Sequence, residues 1–121
     1  MTQAEKKPLY IIVIIKDDPF YSPRGVEGVR MALGLGSGLN RVDIILMGLA
    51  PYLLTEEREK IVDYDTLEKY ISNFEDADQP FFVEETFLKE HPEFDTIYPY
   101  EPVSTKKIAE KMADGDRFLI F

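Results

Sequence analysis

The sequence has no cysteine, no tryptophan and a single histidine among its 121 residues. Without cysteine, the chain itself can form no disulfide, no zinc–thiolate or iron–sulfur site and no thiol nucleophile. A lone histidine, His91, makes a poor zinc site. No Gly-x-Ser-x-Gly pattern accompanies it, which disfavours a serine hydrolase. We therefore favour a non-catalytic role, with no catalytic residues, no metal ligands and no cofactor, and we expect His91 to lie on an exposed loop.

Long hydrophobic runs are also missing. The longest uninterrupted apolar run covers residues 9–15, and seven residues are too few to span a bilayer. The opening segment, MTQAEKKP, is followed by no small-residue cleavage site of the kind that a signal peptide requires. The sequence therefore predicts a cytoplasmic protein with no membrane partner.

Charge is distributed unevenly along the chain. Residues 1–48 carry a net charge of +1, and residues 49–121 carry −10, which together give the net charge of −9. Such an acidic surface repels phosphate backbones, so we expect no nucleic-acid partner. Few Asn and Gln residues beside many Glu and Lys residues hint at a thermophilic source.

Apolar side chains make up 45% of the sequence, enough for the core of one domain over residues 1–121. Residues 9–15 are β-branched and apolar without alternation, which is typical of a central strand in a parallel sheet covered on both faces. Ser22, as N-cap, and Pro23 mark the start of a helix to about Leu35, and residues 42–47 give the next strand. The two strands and the helix form a βαβ unit. The fold class is therefore α/β.

The first helix carries a face of mostly small residues, which predicts close packing on the sheet: Gly25, Gly28, Val29, Ala32 and Gly36. Residues 49–62 are expected to form a short helical turn and an exposed loop. Residues 65–68 resemble a capping box before an amphipathic helix with Leu67, Tyr70, Ile71 and Phe74 on one face. The remaining predicted elements are a strand at 80–83, a short helix at 84–90, an edge strand within 93–103, a helix at 105–113 capped by Ser104, and a strand at 117–121.

Ligands of parallel α/β proteins bind at the carboxyl ends of the strands. In this sequence those ends predict a candidate pocket made of Asp17, Asp18, Ser22, Arg24, Gly25, Gly48, Glu84 and Glu85. The Ser22–Gly25 helix start suits a small anion, although an ordinary helix cap explains the same residues. The four carboxylates suit acid–base chemistry or magnesium, although acidic loops are common in a chain with 23 acidic residues.

Two segments carry a family resemblance. Residues 42–48 read Val-Asp-Ile-Ile-Leu-Met-Gly, and residues 113–121 read Ala-Asp-Gly-Asp-Arg-Phe-Leu-Ile-Phe. Together with the order of elements, they resemble the DsrE/DsrF-like proteins, the small sulfur-relay subunits that include the TusB, TusC and TusD group. The resemblance implies a three-layer α/β/α domain with a five-stranded parallel sheet, in which the last strand lies beside the first.

The resemblance also implies a function and a departure from it. Sulfur-carrying members place a persulfide-bearing cysteine after the third strand, and here that position is Glu84. A carboxylate forms no persulfide, so the chain resembles the cysteine-free subunits of relay complexes, which act as structural partners, and it equally fits a divergent homo-oligomer with another role. We expect a structural or ligand-binding component of a sulfur-relay type complex. An anion-binding or nucleotide-binding module and a metal-assisted enzyme that uses the strand-end carboxylates remain as alternatives.

Assembly is the last expectation. The resemblance implies a homo-oligomer, a trimer or hexamer, or a complex with paralogous DsrE-like subunits. Residues 94–103 hold five large apolar side chains around two prolines, with no helix nearby in sequence to cover them. We therefore expect this stretch to lie between subunits.

Overall fold

Five parallel strands form one sheet in the computed structural model, which describes residues 7–55, 59–74 and 80–121. The strands are β1 (Tyr10–Ile15), β2 (Arg41–Leu46), β3 (Phe81–Glu84), β4 (Tyr100–Val103) and β5 (Arg117–Ile120). Their order in the sheet is β4-β3-β2-β1-β5, with every neighbouring pair parallel. The predicted pairing of the last strand with the first is confirmed.

Helices connect the strands and cover both faces of the sheet. They are α1 (Arg24–Gly36), α2 (Tyr64–Ile71), α3 (Glu85–Glu90) and α4 (Thr105–Asp114), with 3₁₀ helices at Ala50–Leu54 and Ser72–Phe74. The first four strands step across the sheet in one direction, and the connection through α4 returns to the opposite edge. Since parallel crossovers are right-handed, α4 lies on the face opposite to the other three helices.

The two faces of the sheet follow from the alternation of side chains along each strand. The first face packs against α1, α2 and α3 and holds Ile11, Val13 and Ile15 of β1. The second face packs against α4 and holds Ile12 and Ile14. The three-layer α/β/α arrangement predicted from the sequence is therefore present, with one layer reduced to a single helix.

Strand β1 is interior, as the apolar run at residues 9–15 predicts. It pairs with β2 on one side and with β5 on the other. Its side chains from Ile11 to Ile15 are at most 5% exposed. The middle strand of the five is β2, so β1 is interior and one strand from the edge.

Helix α1 lies close to the sheet because of two glycines. A Cβ at Gly25 would meet Leu53 Cδ1 at 3.0 Å, and a Cβ at Gly28 would meet Ile15 Cδ1 at 2.9 Å. The small face predicted for this helix is confirmed at those positions. At Gly36 a Cβ would meet only Val42, at an ordinary 3.8 Å, so the close approach ends before the last turn.

Two predicted helix starts are wrong in detail. Pro23, not Ser22, is the N-cap of α1, and the Ser22 hydroxyl accepts a hydrogen bond from the Arg24 N–H instead. Helix α2 begins at Tyr64 after Asp63, which adopts a left-handed conformation with φ of 63°. The predicted capping box at Asp65 is therefore already inside the first turn. Both helices begin within one or two residues of the predicted position, because local hydrogen bonds at the helix end decide which residue comes first.

Other expectations are confirmed. Ser104 caps α4, since its hydroxyl accepts a hydrogen bond from the Lys107 N–H at 3.1 Å. Leu67 and Ile71 of α2 are buried, and β4 is an edge strand. The segment after β2 forms the expected helical turn, which is largely buried. Residues 56–58 of the predicted exposed loop lie outside the described residues, and so does most of the opening segment. Within the described ranges, no helix has the length and apolar character to cross a bilayer.

Candidate functional site

The loop after β1 and the start of α1 bring Asp17, Ser22 and Arg24 together. The Ser22 hydroxyl donates to Asp17 Oδ2 at 3.1 Å, and Arg24 Nε lies 3.3 Å from the same oxygen. Arg24 Nη2 also donates to the backbone carbonyl of Ile120 at 2.9 Å. Three of the predicted pocket residues therefore form one cluster, between the carboxyl ends of β1 and β5.

This cluster already contains an anion. The carboxylate of Asp17 lies against the hydroxyl and the guanidinium that an external anion at this helix start would use. The neighbouring Asp18 accepts a hydrogen bond from the Phe20 N–H at 2.9 Å, which shapes the loop. Gly25 is buried in the helix–sheet contact, so it offers no free surface to a ligand. An added anion would have to displace Asp17.

The second group of predicted residues lies at the ends of β2 and β3. Gly48 has a φ of +58°, and its N–H is 3.5 Å from Glu84 Oε1. A side chain at Gly48 would be strained, because a Cβ would also approach the carbonyl oxygen of Lys16 to 3.2 Å. Glu84 is the last residue of β3, and Glu85 is the exposed first residue of α3. Glu84, where the resemblance in the sequence places a cysteine, thus lies beside the turn after β2.

The four carboxylates do not form a metal site. Within the described part of the chain, no group of three or more His, Asp or Glu side chains is arranged to hold a metal ion. Asp17 is engaged with Ser22 and Arg24, and Asp18 with its own loop. The geometry therefore does not favour the metal-assisted alternative.

A pair that the sequence did not reveal lies at the same edge of the sheet. The Tyr52 hydroxyl and His91 Nδ1 share a hydrogen bond of 3.0 Å, and the hydroxyl is 3.4 Å from Glu93 Oε1. His91 is stacked on Phe87, with ring centroids 4.4 Å apart. His91 does lie after the end of α3, as its C-cap, but the expectation that it is exposed is wrong, because its ring packs on Phe87 and its side chain is 24% exposed. Burial, with the charge of Glu93 second, raises the pKa of Tyr52 above its ordinary value.

A series of aromatic ring contacts extends from this pair to the start of β4. Phe20 contacts Tyr52, Tyr52 contacts Phe87, Phe87 contacts Phe94 and Phe94 contacts Tyr100, with centroid separations from 5.1 to 5.6 Å. These tilted and edge-to-face pairs are the arrangements that aromatic rings prefer. They tie together the loops that follow β1, β2 and α3.

This aromatic packing corrects the expectation for residues 94–103. Tyr98 and Val103 are buried, and Phe94 and Tyr100 are partly buried against the first-face core. Ile97 alone of the five large apolar side chains is exposed, at 53%. The monomer covers this stretch because α3 supplies Phe87 as a partner for Phe94.

A buried polar network lies on the second face, and it too was missed. Asp43 on β2 is 3% exposed and accepts from Lys111 Nζ of α4 at 2.9 Å. The Tyr10 hydroxyl donates to the same carboxylate, and Arg41 Nη2 lies 3.3 Å from it. Lys111 Nζ also lies 3.9 Å from the ring centroid of Phe82.

The network determines the protonation of its members. Burial by itself would raise the pKa of Asp43, but the hydrogen bonds from Tyr10 and Lys111, with the charges of Lys111 and Arg41, hold it below its ordinary value. Burial first, and then the hydrogen bond to Asp43 and the negative charge of that carboxylate, raise the pKa of Tyr10, although the charge of Arg41 opposes the shift. The network therefore links α4 to β1 and β2 through an ionised carboxylate.

The strand order, the position of the helices and the carboxyl-edge turns define a DsrE/DsrF-like fold. Among solved structures, the chain is similar to the ychN protein from E. coli, with a TM-score of 0.76 and 16% sequence identity. The similarity covers 93% of this chain and 99% of that one. At this level of identity it shows the fold alone. No protein-family model matches the chain, and neither does any curated protein.

Proposed function

We propose that this protein is a cysteine-free DsrE/DsrF-like subunit that serves as a structural or ligand-binding component of a sulfur-relay type assembly. The observation that carries the proposal is Glu84, which ends β3 beside Gly48 where the resemblance places a sulfur-carrying cysteine. A carboxylate at that position holds the strand end but carries no sulfur.

The second face supports a role in assembly. Phe118 and Ile120 of β5 are 42% and 50% exposed. They pair in register with Ile12 and Ile14, whose side chains belong to the second-face core. The apolar surface of that core therefore continues beyond α4 onto an edge strand, and full burial of such a side chain contributes about 1.5–3 kcal/mol.

The net charge and the hydrogen bonding of edge strand β5 determine how copies of the chain would meet. The net charge of −9 opposes contact between copies, and salt screens this repulsion. The guanidinium of Arg24 donates a hydrogen bond to the backbone carbonyl of Ile120, so this acceptor on the edge strand β5 is not available to a strand from another copy. We therefore expect copies to meet through the side chains of the second face rather than by extending the sheet.

Light scattering coupled to size exclusion tests the proposal. At about 100 µM, a concentration at which stable assemblies stay together, we expect three or six copies of the 14.0 kDa chain. The assembled fraction should rise from about 0.05 M to about 1 M salt. A species of one copy in both salts would contradict the homo-oligomer. The complex with a paralogous subunit would then be tested by co-purification.

The anion-binding or nucleotide-binding alternative has less support. Its helix start is occupied by Asp17, and Arg24 is shared between that carboxylate and a backbone carbonyl. A thermal-shift screen with phosphate and nucleotides tests it, using Asp17→Asn to remove the negative charge that already lies against Ser22 and Arg24. Binding by the wild-type protein that is lost in Arg24→Ala would favour the alternative.

A further inference from the structure

A groove of about 940 Å³ opens beside the Tyr52–His91 pair. Phe20 and Tyr52 come from the segments that follow β1 and β2, and residues 93–97 come from the connection between α3 and β4. The segments after β1 and β2 place that side of the groove at the carboxyl edge of the sheet, where parallel α/β proteins bind ligands. Its volume is of the order that small-molecule sites have. None of the eight pocket residues predicted from the sequence lines it.

The groove has an aromatic and aliphatic wall. The rings of Phe20 and Tyr52 lie 5.5 Å apart at an angle of 55°, and both are partly exposed. Ile97, the exposed apolar side chain of the 94–103 stretch, also lines the groove. The Tyr52 ring is fixed from behind by Phe87 and His91. The wall is therefore held in place before any ligand arrives, which lowers the entropy cost of binding.

The charge around that wall is negative. Among the residues that the structure describes, three carboxylates line the groove, from Glu59, Glu93 and Asp95, and one ammonium group, from Lys60. Glu93 is 66% exposed, and its contacts to Tyr52 and His91, at 3.4 and 3.5 Å, are long. Its carboxylate is therefore able to accept a stronger hydrogen bond from a cationic ligand without breaking a tight internal pair.

We propose that this groove binds a small organic cation, an amidinium, guanidinium or alkylammonium group on an apolar body. The cation would pair with Glu93, and the apolar body would pack on Tyr52, Phe20 and Ile97. Aromatic faces attract cations, and the surrounding carboxylates favour positive charge and reject anions. The site uses none of the residues on which the assembly proposal rests, so each proposal is tested separately.

Three probes with the same ring and different charge test the selectivity: benzamidine, benzamide and benzoate. Amide chemical shifts of the isotope-labelled full-length protein, recorded during titration, report both affinity and location. We expect benzamidine to bind about three- to tenfold more tightly than benzamide, and benzoate not to bind. The shifted amides should include those of Tyr52 and residues 93–97. Equal affinity for benzamide or benzoate, or shifts elsewhere, would overturn the proposal.

Matched variants assign the site to its residues. Glu93→Gln should reduce benzamidine affinity to about that of benzamide, and Tyr52→Leu should reduce binding of both neutral and cationic probes. Glu101→Gln removes an exposed carboxylate from β4, outside the groove, and should leave affinity unchanged. An equal loss in Glu93→Gln and Glu101→Gln would mean that overall charge attracts the probe, which contradicts a groove site. The dispersion of each variant's amide spectrum checks that it is folded.

Discussion

The two faces of the sheet are built differently. The first face is covered by three helices over an apolar buried core, which includes Val13 of the sheet, Val29 of α1 and Leu67 of α2. Of the helices that the structure describes, only α4 covers the second face, with the Asp43–Lys111 pair beneath it and Phe118 and Ile120 exposed beside it. One face is thus closed within the chain, whereas the other is closed only in part.

Under the proposed assembly, the two faces would serve stability and association separately. Continuous apolar burial on the first face stabilises the monomer. On the second face a single ten-residue helix is fixed by a charged pair, and Phe118 and Ile120 stay exposed, which is the surface that the proposed assembly would cover. We infer that changes to the first face alter folding, and that changes to the second face away from α4 alter assembly.

Removal of the buried cation should have the largest effect on stability. Lys111→Met keeps the length and apolar stem of the side chain but leaves Asp43 without its closest charged partner. Loss of one member of a buried ion pair costs about 3 kcal/mol or more. Urea unfolding followed by circular dichroism measures this loss as the difference in unfolding free energy between the wild-type protein and Lys111→Met.

The controls for this prediction come from the same network and the same helix. Lys107→Met removes an exposed pair with Glu110 on α4 and should change stability little. The double variant Asp43→Leu/Lys111→Met removes both charges and should recover most of the loss. If Lys111→Met and Lys107→Met have equal effects, the buried pair does not fix α4 to the sheet.

Two glycines of α1 test the close contact on the first face. In Gly28→Ala the new Cβ would lie 2.9 Å from Ile15 Cδ1, so we expect a loss of about 1–3 kcal/mol from overpacking. In Gly34→Ala the new Cβ meets nothing within 4 Å, and we expect a gain of about 0.5–1 kcal/mol from helix propensity. Thermal unfolding compares the two. Equal changes of the same sign would show that helix propensity, not packing, decides both.

Acid should lower the unfolding free energy in part through Asp43, the buried carboxylate of the second face. Because the pKa of Asp43 is lowered in the folded protein, the unfolded chain takes up a proton there first as the pH falls below about 4. The contribution of Asp43 is therefore complete above its unfolded pKa and is lost as the pH falls through its folded pKa. Asp43→Asn lacks this dependence, so its unfolding free energy should fall less steeply with acid. If the unfolding free energies of the wild-type protein and Asp43→Asn fell equally with decreasing pH, the lowered pKa of Asp43 would not be the cause of the acid sensitivity.

Much of the fold was predictable from local patterns. The uninterrupted β-branched run at residues 9–15 predicted an interior strand in a sheet covered on both faces. The small residues Gly25 and Gly28 predicted that the first helix packs closely on that sheet. Ser104 capped its helix as predicted, because a capping hydroxyl depends only on neighbouring residues.

The interactions that were missed depend on contacts between distant parts of the chain. Asp43 and Lys111 are 68 residues apart, and Tyr52 and His91 are 39 residues apart. A signal for the first pair did exist. Asp43 interrupts an apolar strand, and Lys111 lies three residues after the inward-facing Ile108, on the same side of the helix. For Tyr52 and His91 no local pattern predicts the pairing, because it depends on how two loops after different strands converge.

The measurement that tests the account most directly is the mass of two matched variants by light scattering. Phe118→Asp places a charge on the exposed part of the second face, and Ile97→Asp places one on the comparably exposed side chain of the 94–103 stretch. We expect Phe118→Asp to give one copy of the 14.0 kDa chain and Ile97→Asp to retain the assembled mass of the wild-type protein. Dissociation of Ile97→Asp while Phe118→Asp stays assembled would contradict the claim that the second face is the one completed by another copy.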